Sequence, residues 1–535
     1  MKKLLAITLS LVMLLALATG CGGNNSGGQG GEPSNSGGSS DPGSSGGGTA
    51  ILQVYGDVMS FCPDLNSDDN YYSAAQNIFN RLAKLDANCN VIPDLAESWE
   101  YSDGGLTLTF HLKENAKWHD GEPVTAEDVA YTFNYIKEHD TCVFCASMEI
   151  VDNVEAVDDY TVVFHMNTVD MSFVASLSWY GTFILPEHIY NNGQEWSENE
   201  ATKTSPIGSG PFKFVEYRRG ESMTLEANPD YHDGAPKLDR LVFSMVPDDT
   251  TAVQALKSGE LDWTIATPAN MVSELENDAN VRLVLDSLPS PTRIVFNLEN
   301  ELVADLAVRQ AIALCIDRKD ITEKTTNGVQ PVEYSAYPSS SWAANTTDLY
   351  PECDLEKAEQ TLIDAGYTKD ADGYYIRGLT IDAFDVAPNP DTAKLIAANC
   401  EKVGIELTVQ TYEYNAWSQK IEVDKDFCIE IQGGFMGPDP NALGPRLLPG
   451  GWGNVGTYYN EKIVELLKQG SGETDQEKRA EIYREIQKIV VEELPYVLIM
   501  EYAVYEGANA DLCDIPMDGA DQWGWNEWSN AYFAN

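Results

Sequence analysis

The sequence predicts an α/β protein, and three features carry that expectation. Strand-like runs are followed by amphipathic helical runs, several helical runs close on glycine, and no repeat with a period of about 20 to 50 residues points to a solenoid or propeller. Ile51-Leu52-Gln53-Val54-Tyr55 reads as the first strand, followed by a polar loop and a helix from Ser73 to Leu82 with Ala75, Ile78, Phe79 and Leu82 on one side. Leu106 to Leu112 alternates strictly, as a strand with one buried face does. His111 alternates with Leu108, Phe110 and Leu112 there, so it reads as a strand-face residue rather than a metal ligand. Asp120-Gly121 turns the chain, and Thr125 is placed to cap a helix carrying Glu127 and Asp128 in its first turn. Ala126, Val129, Ala130, Phe133 and Ile136 form its apolar stripe. Phe212 to Glu216 and Met223 to Ala227 read as a hairpin around Arg218-Arg219-Gly220. Further helices are expected at Thr251 to Ser258, Asp305 to Glu323, Leu355 to Ala365 and Thr392 to Val403. Gly259, Gly366 and Gly404 stand where the first, third and fourth of these need a left-handed residue. The last long helix opens on Thr474-Asp475-Gln476-Glu477, a capping-box pattern, and turns Ala480, Tyr483, Ile486 and Ile489 inward before Pro495.

The N-terminus says where the chain works. Lys2 and Lys3 precede an apolar run from Leu4 to Ala18 that is too short to span a bilayer, as in a secretory signal. Leu17-Ala18-Thr19-Gly20-Cys21 resembles a bacterial lipobox, with Ala18 where leucine is usual, so cleavage before Cys21 would leave a lipidated cysteine. The alternative is ordinary secretion with a chance cysteine. Residues 22 to 48, almost entirely Gly, Ser, Asn and Pro, have nothing to bury and read as a flexible tether.

The rest of the chain, from about Thr49, is long enough for several domains, and 43% hydrophobic residues allow a core without staples or metals. A net charge of −50 excludes nucleic acid and anionic lipid surfaces as partners. Of ten cysteines, Cys21 goes to the lipid, and the odd remainder cannot all pair within one chain. Cys142 and Cys145 form a single C-x-x-C, to be read as buried thiols or a local disulfide, or else as half of a zinc site.

No catalytic constellation is present at the required spacing, and no cofactor or metal is expected. Gly208-Ser209-Gly210 lacks the residues a nucleophile elbow needs on both sides and reads as a tight loop. Asp370-Ala371-Asp372-Gly373 lacks the later ligands of a calcium loop and reads as a polar turn. With 84 acidic residues, some carboxylate pair will lie at glycosidase distance by chance.

A series of motifs in order gives more. These are Val91 to Glu100, Leu106 to Lys113, Lys117 to Val129, Pro206 to Phe212, Asn228-Pro229-Asp230-Tyr231, Gly259 to Asp262, Val308 to Ile312, Ile316-Asp317-Arg318, Ala365-Gly366-Tyr367 and Arg479 to Pro495. Together they resemble the family 5 extracellular solute-binding proteins, which serve ABC importers for oligopeptides, dipeptides and nickel. The resemblance implies a two-lobed periplasmic-binding-protein-like (Venus flytrap) α/β fold with an extra subdomain inserted in lobe I. On this reading residues 1–20 are the signal peptide and 21–48 the tether. Lobe I holds 49–85, 206–292 and 500–535, the insert is 86–205, and lobe II is 293–499. It further implies a monomeric receptor, anchored to the outer face of the cell membrane, that captures peptides between the lobes and delivers them to a permease. Oligosaccharides or another small solute are the alternative cargo, with a metal chelate less favoured.

In that family a loop of lobe II ending in Asp-Pro or Glu-Pro contributes to the cleft. Peptide binders commonly place an aspartate three residues before its acidic residue, to pair with the ligand's α-amino group. Here the loop is Gly433-Gly434-Phe435-Met436-Gly437-Pro438-Asp439-Pro440, and the anchoring position is Met436. Gly434, Phe435, Met436 and Asp439 are candidate ligand contacts, and Met436→Asp is expected to improve affinity for free-amine peptides. Arg446 could pair with a ligand carboxylate or support the loop from behind. Tyr71 and Tyr72 are candidates from the first polar loop. Trp417, Phe435, Trp452, Trp523, Trp525 and Trp528 could stack on sugars or simply fill cores.

Overall fold

A computed structural model describes residues 47–65, 69–86, 89–139, 148–179, 182–516 and 527–534. Cys21, Cys142, Cys145, Trp523 and Trp525 lie outside them. The architecture is set by two long strands, Val281–Phe296 and Tyr496–Asn509, of 16 and 14 residues. They pair antiparallel from Val281 opposite Asn509 to Val295 opposite Tyr496. Both run through the middle of a ten-stranded sheet. On one side of them lie Trp263–Thr264, Thr49–Val54, Arg240–Met245, Ser222–Ala227 and Phe212–Arg218; on the other lie Ile429–Gln432, Ile376–Phe384 and Ile405–Tyr412. Trp263–Thr264 meets Tyr496–Asn509 at Ala508 and Gly507, whereas Ile429–Gln432 meets Val281–Phe296 at Arg293 to Phe296. The two halves of the sheet are therefore joined through the middle of the long pair.

That middle is irregular. The register shifts between Leu288 and Thr292, across Pro289-Ser290-Pro291. Neither proline has an N–H for the ladder, and a broken register lets two strands bend where a continuous one would resist. Two large buried clusters follow the same division. One gathers Leu52, Phe79, Leu241 and Trp263, and the other Ile294, Phe296, Ile381, Ile429 and Leu498. The fold is a two-lobed α/β molecule with its hinge in the long pair.

A separate four-stranded antiparallel sheet, Ala96–Ser102, Thr107–Leu112, Thr161–Met166 and Val151–Asp158 in that spatial order, forms the inserted part. Helix Ala126–His139 packs on it, and Leu108, Phe110, Val162 and Phe164 join the first lobe's core. His111 stays half-exposed on the other face, its Nε2 4.0 Å from Glu100.

Local expectations are met or shifted for identifiable reasons. The first helix is Asp69–Ile78 rather than Ser73 to Leu82. It stops because Gly210 N–H donates to the Ile78 carbonyl at 2.8 Å, and a Cβ at Gly208 would lie 1.9 Å from that oxygen. The Gly-Ser-Gly stretch is thus a close backbone contact, with the Ser209 hydroxyl buried and donating to Asn80 Oδ1 at 3.0 Å. The run expected from Asp305 to Glu323 is two helices, Leu306–Leu314 and Arg318–Thr326, because Asp317 caps the second by accepting from Asp320 N–H. At Thr125 the roles reverse: its N–H and hydroxyl both donate to the Asp128 carboxylate, at 2.8 and 3.2 Å. In the last helix, Gln476–Glu493, the cap is Asp475 rather than Thr474. Cys62, Cys315, Cys353, Cys400, Cys428 and Cys513 form no disulfide among the described residues.

Candidate ligand-binding cleft

The loop that follows strand Ile429–Gln432 lies where the inserted subdomain meets the second lobe. Asn441 Nδ2 donates to Ser172 Oγ at 3.0 Å, Met171 N–H donates to the Ser471 carbonyl at 2.8 Å, and the Phe435 and Trp179 rings lie 4.7 Å apart. Three cavities, of about 280, 330 and 460 Å³, are strung along this seam, and Pro438 borders all of them. The first sits over the hinge, between Ser287-Leu288-Pro289, Glu501, Tyr337, the run Ser339 to Trp342 and Gly437. The second is aromatic, lined by Phe173, Trp179, Phe435 and Trp452 with Asp170 and Arg446. The third lies between Trp99, Tyr101 and Val174 on one side and Trp342, Asp439 and Arg479 on the other.

The loop is held from every direction. Met436 N–H donates to the Pro289 carbonyl at 3.0 Å, tying it to the hinge, and the Tyr337 hydroxyl donates to the carbonyls of Met436 and Gly437 at 3.3 and 3.1 Å. Gly437 has φ +85°, and a Cβ there would strike Ala442 Cβ at 2.5 Å. Asp439 accepts from Asn441 N–H at 2.9 Å and forms a two-pronged pair with Arg479, both contacts 2.6 Å. The pair is buried, so its attraction is little screened, and it fixes the loop to helix Gln476–Glu493. From beneath, Arg446 donates to the carbonyls of Phe435 and Ala442, both at 2.8 Å.

Buried charges surround this support. Burial, then the neighbouring Arg293 guanidinium, lowers Arg446 to about 10. Burial raises Glu430 to about 8, with Arg293 opposing. Burial raises Asp170 despite its hydrogen bonds from Ser172, and the Asp439 charge adds to the effect.

Of the residues expected at the site, the structure brings Phe435, Asp439 and Arg446 to one cavity wall, with Gly434 beside them. A Cβ at Gly434 would have Arg293 Nη1 as its nearest neighbour, 4.0 Å away. Arg446 reaches the cleft while bonding the loop from behind, so the loop-supporting alternative describes its hydrogen bonds. The other expectations need correction. Met436 is fully buried in the second lobe's core and contributes only its backbone near the cleft. Tyr71 and Tyr72 are sealed in the first lobe's core, donating to the carbonyls of Phe61 and Pro63. Trp417 packs with Phe384 and Tyr414 in the second core, and Trp528 lies against Trp263. None of these five side chains lines any of the three cavities. Sequence reasoning missed Trp179, Trp342 and Glu501. Ser339-Ser340-Ser341-Trp342, a polar run ending in an aromatic, was the available signal for one of them.

Two lobes on a two-strand hinge, with cavities along the seam, define a receptor that encloses a ligand. The chain belongs to the bacterial extracellular solute-binding proteins of family 5, whose profile for the middle region matches residues 90–454. It is 29% identical to the oligopeptide-binding protein AppA of Bacillus subtilis over 516 residues, covering 93% of each chain. It is 30% identical to heme-binding protein A of Haemophilus influenzae over 464 residues, covering 82% of this chain and 84% of that one. Among solved structures, the substrate-binding protein CtaP of Listeria monocytogenes superposes with a TM-score of 0.82 at 26% identity, covering 92% of this chain and 100% of that one. AppA in complex with a nonapeptide gives 0.72 at 27% identity, covering 92% and 99%. The chain is thus a substrate-binding receptor of an ABC importer that works outside the cytoplasm, and it is not an enzyme.

Proposed function

We propose that the cleft captures peptides in extended form and hands them to a membrane permease. The observation that carries this reading is the row of three separate cavities around one loop. An extended chain sends successive side chains to opposite sides, so a row of pockets about a shared wall suits it better than one deep hole. The likeness to AppA, whose solved structure holds a nonapeptide, supports the same reading. We take 49–85, 206–292 and 500–535 as lobe I, 86–205 as the insert, and 293–499 as lobe II, as the family resemblance implies. The register break at Leu288 to Thr292, opposite Met500 to Tyr502, supports the two crossings. Closure is then a rotation absorbed there.

The receptor acts as a monomer held by a lipid on Cys21. Cys21→Ala is expected to release it from the membrane fraction into the medium, and fractionation with immunoblotting checks this.

A second reading has one specific support. The cavity lined by Phe173, Trp179, Phe435 and Trp452 offers faces on which a sugar or a flat solute could stack. Calorimetric titration of residues 47–535 with dipeptide, tripeptide and nonapeptide pools, then with oligosaccharides and haemin, separates the two. Heat from peptides alone supports the first, and heat only from the others overturns it.

A further inference from the structure

We propose that Glu501, backed by Glu333, is the anchor for a primary ammonium group of the ligand, in the cavity over the hinge. The ligand class rests on the peptide reading, where the ammonium is the α-amino group.

Glu501 stands opposite the break in the long strand pair, between Met500, which faces Thr292, and Tyr502, which faces Leu288. Its own N–H turns to the Pro331 carbonyl at 2.9 Å, so its backbone is held by the neighbouring segment rather than by the ladder. Its residue is 8% exposed, and neither carboxyl oxygen has a hydrogen-bond partner of good geometry among the described residues. It is also the one acidic or basic side chain among the described residues that line the hinge cavity.

Glu333 beside it, 2% exposed, differs in its supply of donors. Its Oε1 accepts from Ser335 N–H and Oγ at 2.7 and 2.9 Å, and its Oε2 accepts from Ser339 N–H at 2.8 Å. Arg318, whose guanidinium feels the Glu333 charge, donates its N–H groups to the carbonyls of Leu498 and Pro351 and lies over the Tyr334 ring. Of these two adjacent carboxyl groups, one accepts three hydrogen bonds of good geometry and the other has only the Ser290 N–H beside it, so a cationic donor would supply what the second one lacks. Burial, then the Glu333 carboxyl through its charge and a hydrogen bond, pushes the Glu501 carboxyl well above the usual range, with the Ser290 N–H opposing. An ammonium group brings three N–H donors and a positive charge, which favour the ionised carboxylate.

The placement relates this anchor to the missing one. Pro289, whose carbonyl takes Met436 N–H, and Gly437, the next residue of the loop, both line the cavity. Glu501 thus shares a cavity lining with the residue that follows the loop position where an aspartate was expected and a buried methionine stands.

The test offers the protein an equimolar mixture of a random tetrapeptide pool and its N-acetylated counterpart. Retained peptides are read by mass spectrometry after gel filtration and denaturation. The wild type is expected to enrich the free-amine half at least about tenfold, the scale of a buried charge-assisted hydrogen bond. Glu501→Gln is expected to retain both halves nearly alike. Equal retention by the wild type, or undiminished selectivity in Glu501→Gln, overturns the anchor. Retention of neither half overturns the peptide reading instead, and a thermal melt with millimolar n-hexylammonium then decides the anchor. Stabilisation of the wild type but not of Glu501→Gln supports it, and equal response in both overturns it.

Discussion

Met436 and Glu501 bear on the hinge cavity with opposite chemistry, the first tied to Pro289 by its backbone and the second in the cavity lining. Met436 occupies the position where a loop carboxylate was expected, yet its side chain is fully buried among the second lobe's apolar residues. An aspartate there would meet hydrocarbon rather than ligand. Met436→Asp is therefore expected to lower the unfolding free energy by about 3 kcal/mol or more, the scale of an uncompensated buried charge, without improving free-amine affinity. Urea denaturation and peptide titration of the same variant check both halves. The loop itself was legible because its Asp-Pro ending and glycines are local. Whether an aromatic in or near a polar loop lines a cleft or fills a core was not, since Tyr71, Tyr72 and Trp417 bury the same surface either way. Glu501 was invisible as well, because nothing in its neighbours along the chain marks a carboxyl buried in a cavity wall.

At the scale of elements, local signals placed most helices and mis-set some ends. Gly259, Gly366 and Gly404 all take positive φ just past their helices, as expected of residues with no Cβ. The end of the first helix was misplaced because a partner more than a hundred residues away in sequence, Gly210, takes its last carbonyl. The same contact carries a pH prediction. The half-buried His119 accepts from Gly208 N–H on Nδ1 at 3.3 Å and faces the Gly210 carbonyl with Nε2 at 3.0 Å, a pattern that requires the neutral ring. Burial, with the Lys213 charge assisting and the Gly210 carbonyl opposing, lowers it to about 4. The unfolded chain takes up this proton near pH 6.5 and the folded one near 4, so His119 costs stability as pH falls between them. Between pH 6.5 and 4 the wild type should lose stability relative to His119→Gln, as denaturant titrations across that range will show. A constant gap would remove His119 from the acid response.

For the whole molecule, α/β character was readable from periodicity, whereas the two-lobed division came from a resemblance. Periodicity cannot reveal that two strands run through both halves of one sheet, nor that Pro289 and Pro291 break their register at the middle. The cavities are harder still to foresee. Each draws walls from segments far apart in sequence, such as Cys89, Ser287, Trp342 and Glu501 around the hinge cavity. Asn441 to Ser172 and Met171 to Ser471 are direct hydrogen bonds across the seam among the described residues, and a ligand that adds contacts to both sides would favour the form in which they are made. The central claim is that this seam encloses a peptide, and it can be read directly from the protein as purified. Mass spectrometry of small molecules released by denaturing residues 47–535 should find peptides with free amino termini. Sugars, a metal chelate or haem in their place would contradict the account.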